Sequence, residues 1–318
     1  MKNILFDGHI GNVANINENI NIYWSGDKKL FNKIKSVINQ NMQLDIKIIK
    51  NILIDQTGQF SFILKYYDDI YAAVDIVCSY PLFYSINRDR VSISNSASSL
   101  RTKYGLNNVN SDALFEFYSS GYVTGDNTIY NNLFKMKPGE ILSVNTKNNN
   151  YKFEQYFIYQ PIVEQQKNKT TINYLDELNA LMDKIFMQVI ENANGAPIWL
   201  PLSGGLDSRF IACKLKSLDY PNLFSFSYGP TGNYEAIAAQ KVATVLDIPW
   251  IFMKSKSSLA KKLFQSEKRK EYWDYASGYY SLPGMMEYEA LYELKRKNIL
   301  PDNSIIINGQ TGDFISGG

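Results

Sequence analysis

The chain predicts two halves of different fold class: a strand-rich α+β half, then an α/β half built on a parallel sheet. Three observations carry this reading. Short β-branched and aromatic runs separated by turn residues fill the first half. Apolar strands alternate with amphipathic helices in the second. Between them lies Glu164–Thr171 (EQQKNKTT), a polar stretch without apolar periodicity that reads as a linker. A length of 318 residues accommodates two domains, expected at 1–163 and 172–318.

Strands are expected at Ile46–Ile54 (IKIIKNILI), Phe60–Tyr66, Ile70–Val77, Leu82–Ile86 and Val91–Ser94. Turn signals at Asp55–Gly58, Asp68-Asp69 and Asn87–Arg90 separate them. Helices are expected at Lys28–Gln40 and Asp112–Ser119, and Pro138-Gly139 turns between two further strands that end near Phe157. From Tyr174 to Asn192, Leu175, Leu178, Leu181, Ile185, Met187 and Ile190 keep helical spacing. Strands then follow at 197–202, Leu223–Tyr228, Trp250–Met253 and Ser304–Ile307, with helices at 208–217, Tyr234–Val245 and within 258–297. Such alternation places crossover helices on a parallel sheet.

Composition removes several function classes. With 33 basic and 31 acidic residues the net charge is +2, so no global field draws the chain to nucleic acid. No apolar run reaches the roughly 18 residues of a membrane span. The start, MKNILFDGHIGN, lacks the sustained apolar core of a secretory signal. A cytoplasmic location is expected. Cys78 and Cys213 sit in apolar surroundings and are expected to be reduced core residues. The single histidine, His9, has no partner motif, which argues against a Ser-His-Asp triad or a histidine metal site.

Ser203-Gly204-Gly205-Leu206-Asp207-Ser208 stands where a phosphate-binding loop belongs, after the apolar strand Ala196–Leu202 and before the helical Arg209–Leu218. A strand, a glycine turn and a helix start aim several backbone N–H groups and the positive end of a helix at one anion. Gly204 and Gly205 let that anion approach the backbone; Ser203 and Ser208 offer hydroxyls; Asp207 can hold the Mg²⁺ that accompanies a nucleotide. An ordinary βα turn with Ser208 as cap asks for none of this in combination. No GxxxxGK[ST] occurs, which argues against a kinase or motor ATPase. The strand Ser304–Ile307 feeds a second glycine-rich loop, Asn308–Gly318, whose Asp313 would share a metal with Asp207 if the two strands are neighbours.

The hexapeptide closely resembles the SGGxDS signature of the N-type ATP pyrophosphatases, which cleave ATP between the α- and β-phosphates and adenylate a substrate oxygen. Together the two loops resemble the asparagine synthetase family, in which SGGLDS is followed about a hundred residues on by a GxGxDExFxGG-like loop. Ser225–Gly229 is similar to the family segment beside the adenine, and Glu235 with Ala238, Ala239 and Val242 to its next helix. In the first half, Gly58–Leu64 resembles the "G-x-F-A-F" strand and Asp75–Tyr84 the "D-x-x-G-x-x-P-L-Y-Y" hairpin. Gly121–Val123, Thr128–Tyr130 and Lys137–Gly139 resemble the end of its glutaminase domain. The resemblance implies an Ntn-hydrolase-like αββα sandwich, then an ATP pyrophosphatase domain. Its implied cofactors are ATP and Mg²⁺. Its implied ligand set is Leu202 through Ser208, Ser227, Tyr228 and Gly309, with Asp207, Asp313 and Gln310 in catalytic positions and the two aspartates on the metal.

The chain also departs from that family. Glutamine-dependent members need a cysteine directly after the initiator methionine; here that residue is Lys2, and the glutamine-holding "N-G-x-x-Y-N" stretch is not recognisable in residues 15–50. No glutaminase activity is expected, so ammonia or an amine is the expected nitrogen donor. Gln310 replaces the usual glutamate and cannot take a proton; Phe314 replaces another glutamate. The end at Gly318, within the second loop, reads as a truncation. Expected partners are a small-molecule carboxylate, the nitrogen donor and at most a second copy of the chain, with neither nucleic acid nor membrane. The leading expectation is an asparagine-synthetase-like amide ligase. The alternatives are an amide ligase acting on a sugar, peptide or lactam precursor and a non-catalytic nucleotide-binding remnant.

Overall fold

A computed structural model describes residues 4–8, 11–40, 44–87, 90–160, 170–310 and 312. The chain divides into two compact units: Met1–Ile162 with Lys270–Pro283, and Val163–Arg269 with Gly284–Gly318.

The first unit runs β1 (Ile4–Leu5), β2 (Asn12–Asn17), β3 (Ile20–Gly26), α1 (Lys28–Asn39), α2 (Ile46–Ile54), β4 (Phe60–Tyr66), β5 (Asp69–Val74), β6 (Phe83–Asn87), β7 (Arg90–Ser94), α3 (Ala97–Tyr104), α4 (Ser111–Ser120), β8 (Phe134–Lys135), β9 (Glu140–Asn145) and β10 (Tyr151–Gln155). Two sheets form, in the orders β10-β9-β5-β4-β3-β2 and β1-β7-β6-β8. The period-2 rule explains why FSFILKY is apolar almost throughout. Phe60, Phe62 and Leu64 of β4 join Leu30, Ile34 and Ile49 of α1 and α2 on one face. Ile63 points the other way, into the layer where Val74 meets Tyr84 and Ile93 of the second sheet. Ala97 and Leu100 of α3 cover the far side against Phe83. The layers are therefore α, β, β, α.

Ile46–Ile54 is a helix and not the expected strand. Asp45 caps it, accepting the Ile48 N–H at 2.8 Å, and Ile49, Ile52 and Leu53 make one buried face. Lys47, Lys50 and Asn51 fall at helical spacing opposite Ile49, Ile52 and Leu53, and with the Asp45 cap this outweighs β-branched preference. The strand expected over Ile70–Val77 ends at Val74. Asp75 stops it, accepting N–H groups from Phe60 (3.0 Å), Val77 (2.9 Å) and Ser79 (3.1 Å).

The second unit begins with α5 (Thr171–Ala193), β11 (Ile198–Pro201), α6 (Leu206–Ser217), β12 (Leu223–Gly229), α7 (Tyr234–Val245), β13 (Trp250–Lys254) and α8 (Ser257–Phe264). Next come α9 (Glu267–Ser277), most of which groups with the first unit, then α10 (Tyr288–Arg296) and β14 (Ile305–Ile306). The linker expected at 164–171 falls mostly outside the described residues. The sheet is parallel throughout, in the order β13-β12-β11-β14. The chain steps outward from β11 to β12 and β13, then returns to pair β14 on the other side of β11. That reversal makes the carboxyl ends of β11 and β14 a topological switch point. Cys213 is exposed, contrary to expectation. The buried face of α6 is Ser208, Ala212 and Leu215, and Cys213 lies about 100° of helix turn beyond Ala212. Among the described residues no helix is long and apolar enough to cross a membrane.

Candidate functional site

At the switch point the first loop opens into a cavity of about 590 Å³. Leu202 donates its N–H to the Phe226 carbonyl at 2.8 Å, extending the ladder by one residue before the chain turns. Gly205 then caps α6 with extended backbone and no side-chain bond to the first turn. The amides of Leu206, Asp207 and Ser208 are thus left without a side-chain cap, the condition in which a helix start receives an anion.

The two serine hydroxyls bond each other and the loop backbone. Ser203 Oγ and Ser208 Oγ lie 3.1 Å apart. Ser208 Oγ accepts the Ser203 N–H at 3.2 Å, and Ser203 Oγ accepts the Gly205 N–H at 3.1 Å. They brace the loop from within and take up the Ser203 and Gly205 amides, so the first-turn amides of α6 are the ones left without a side-chain partner.

The second loop seats on the first. β14 pairs with β11 in parallel register, Ile198 opposite Ile305, so the strands are neighbours. A Cβ on Gly309 would stand 2.9 Å from Asp207 Cβ and 3.0 Å from the Ser208 nitrogen, and one on Gly312 would collide with the Asp207 carboxyl group. Glycine is needed at both positions because the chains touch there. Gly312 closes a turn by donating to the Gly309 carbonyl at 3.0 Å. Asp313, expected to share a metal with Asp207, lies outside the described residues.

Ser227, buried at the end of β12, donates to the Leu202 carbonyl at 2.6 Å and accepts from Trp250 Nε1 at 2.9 Å, tying three strands together. Tyr228 donates to Glu287 Oε1 at 3.5 Å. Burial first, and the Glu287 carboxylate second, push its phenol up to about 12, so it stays a neutral donor near neutrality.

Of the expected site residues, Leu202, Ser203, Gly205, Asp207, Ser208, Ser227, Tyr228, Gly309 and Gln310 line this one cavity. Gly204 and Leu206 do not. Gly204 packs on α7, where a Cβ would meet Ala238 Cβ at 3.4 Å. Leu206, the first residue of α6, projects outward and is 76% exposed. Asn233, Ser255 and Glu287 line the cavity too, though no motif marks them. Ser255 follows β13 directly and was findable from the rule that ligands sit at the carboxyl ends of parallel strands.

The first unit holds a smaller cavity of about 280 Å³, lined by Ser25, Ser61, Cys78, Asn95, Tyr275 and Tyr280 among others. Cys78 has a left-handed backbone, φ 57°. Its thiol lies 3.7 Å from the Met136 carbonyl. Burial pushes that thiol up to about 12 despite the opposing Lys135 charge.

Residues 3–157 match the family model of the glutamine amidotransferase domain. The chain is 26% identical over 197 residues to asparagine synthetase [glutamine-hydrolyzing] 1 of Bacillus subtilis, a match covering 60% of this chain and 30% of that relative. The chain therefore spans less than a third of the relative's length. Among solved structures it is similar to the NH3-dependent NAD synthetase of Campylobacter jejuni (19% identity, TM-score 0.31, 45% of this chain and 59% of that one). It is also similar to the glutamine phosphoribosylpyrophosphate amidotransferase of B. subtilis (12% identity, TM-score 0.24, 79% of this chain and 52% of that one). Both scores are low.

Proposed function

We propose that the chain is the amidotransferase-like and nucleotide-binding portion of an ATP-dependent amide ligase that adenylates a substrate carboxylate. The observation that carries this is the uncapped start of α6, closed over by the β14 loop at the switch point of a parallel sheet. The cavity, at about 590 Å³, falls in the range of small-ligand sites. Phosphates fit the amides of Leu206, Asp207 and Ser208. Pro201, Ser227 and Tyr228, beside them, would flank a base and ribose.

Asp207 would hold magnesium carried by the nucleotide, and Asp313, outside the described residues, is the second ligand the resemblance implies. Such an ion neutralises charge on the phosphates. A carboxylate oxygen of the substrate attacks the α-phosphorus, the bond to the bridging oxygen of the pyrophosphate breaks, and the α6 amides stabilise the departing anion. A neutral amine then attacks the acyl carbon, the bond to the AMP oxygen breaks, and the proton lost from nitrogen leaves with the AMP phosphate or to solvent. Gln310 orients this amine and takes no proton from it. Neither Cys78 nor Cys213 supports a glutaminase step: one is a buried thiol, the other an exposed residue on α6. Lys2 and Gln310 favour a product other than asparagine.

The test is ATP–pyrophosphate exchange across a panel of carboxylic acids with the amine omitted. At least one acid is expected to support exchange in the native protein; exchange by none, with magnesium and nucleotide saturating, would exclude the reading.

A further inference from the structure

A strong local charge in the second unit is not used by the nucleotide cavity. Between Lys254 and Arg269 six residues are basic and one, Glu267, is acidic, in a chain of net charge +2. This run leaves β13 and forms α8, which lies beside α10 and opens a groove of about 300 Å³. Lys256, Lys262, Lys268 and Arg296 line the groove. Its carboxylate, Glu293, is already gripped by Arg296 at 2.7 and 2.8 Å, which holds that carboxyl below the usual range. With this pair mutually neutral, three lysines remain as the net field of the groove.

Two further features shape its ligand. Leu259, Leu263 and Tyr292 supply apolar lining between the cations. A phosphate chain would have no use for that surface, whereas a peptide with carboxylates and an occasional apolar side chain uses both. The groove also adjoins the nucleotide cavity. Ser255 and Glu287 line the cavity, while Lys256 and Tyr292 line the groove. The separation is one residue between β13 and α8, and about 7.5 Å of helix rise on α10. The Lys256 N–H donates to Glu289 Oε1 at 2.9 Å, pinning the start of α8 to α10.

We infer that this groove docks an acidic peptide, and that the carboxylate activated in the adjoining cavity belongs to that peptide. The second clause rests on the ligase reading; the first does not. The test is fluorescence anisotropy of the full chain with a fluorescein-labelled hexapeptide of four glutamates, one leucine and one phenylalanine, in the absence of nucleotide. Saturable binding is expected, weakening as salt rises. Lys262→Glu/Lys268→Glu should weaken it at least tenfold, and Lys262→Gln/Lys268→Gln by less. Both pairs lie at exposed positions, and circular dichroism should be unchanged. Failure to bind, equal binding by the charge-reversed protein, or displacement by polyphosphate or single-stranded DNA more readily than by unlabelled peptide overturns the docking site. Docking without any pyrophosphate exchange counts against the ligase reading alone. Exchange without docking counts against the groove alone.

Discussion

Two cavities of this chain, one in each unit, treat their polar groups in opposite ways. In the first unit, beside the cavity, Asp75 is 1% exposed and satisfies three backbone amides. Asn95 exchanges two hydrogen bonds with the Asp7 backbone, and Cys78 is held as a neutral thiol. In the second unit the first-turn amides of α6 are left without a side-chain cap, and Gly205, Asp207 and Ser208 line a cavity twice the size. Saturated hydrogen bonding builds a scaffold; amides kept available at a helix start build a site. On the proposed reading, the difference gives architecture to the first unit and chemistry to the second.

The largest effect expected to test that contrast is at Asp207. Asp207→Ala should lower exchange by about 10²–10³-fold with little change in the thermal midpoint, because it removes a ligand to developing charge but keeps the Cβ on which Gly309 seats. An equally large change in midpoint would make Asp207 structural and erase the contrast.

Asp75→Ala is the converse. It strands buried amides, each costing about 1–3 kcal/mol, so a loss near 3 kcal/mol in urea unfolding is expected, with nucleotide affinity retained. Loss of nucleotide binding at full stability would contradict the division.

Next in size is Gly309→Ala. The added methyl meets Asp207 Cβ and the Ser208 nitrogen, and overpacking of about 1–3 kcal/mol should weaken nucleotide binding roughly tenfold by calorimetry. Unchanged affinity would mean the loops do not seat on one another when the nucleotide is bound.

The smallest effect is on thiol chemistry. At pH 8 iodoacetamide should modify exposed Cys213 at least about tenfold faster than Cys78, which burial holds protonated. The thiolate fraction of Cys78 should rise about tenfold per pH unit and not level off until near pH 12. Faster labelling of Cys78 would make the first cavity reactive.

Much of the second unit was legible because its signals are local. Tyr234–Val245 is a helix with the expected bounds, and strand–glycine–helix chemistry marks the first loop without reference to tertiary structure. The β14 loop was legible as a sequence, but its contact with Asp207 depends on strand order, which no local pattern encodes. In the first unit, Ile46–Ile54 misled because its five isoleucines carry a β-branched preference that hid the helical spacing of Lys47, Lys50 and Asn51. Cys213 misled because apolar neighbours in sequence point to different sides of α6. Glu287 was invisible because it reaches the cavity from the start of α10, outside any motif.

The central claim, that the carboxylate is activated by adenylation in the α6 cradle, is tested most directly with ¹⁸O. The acid that supports exchange is labelled in its carboxylate and turned over with ATP and an amine. Adenylation predicts one ¹⁸O in the AMP and none in the pyrophosphate. Label in orthophosphate, with ADP as the nucleotide product, would show an acyl phosphate instead and contradict the account.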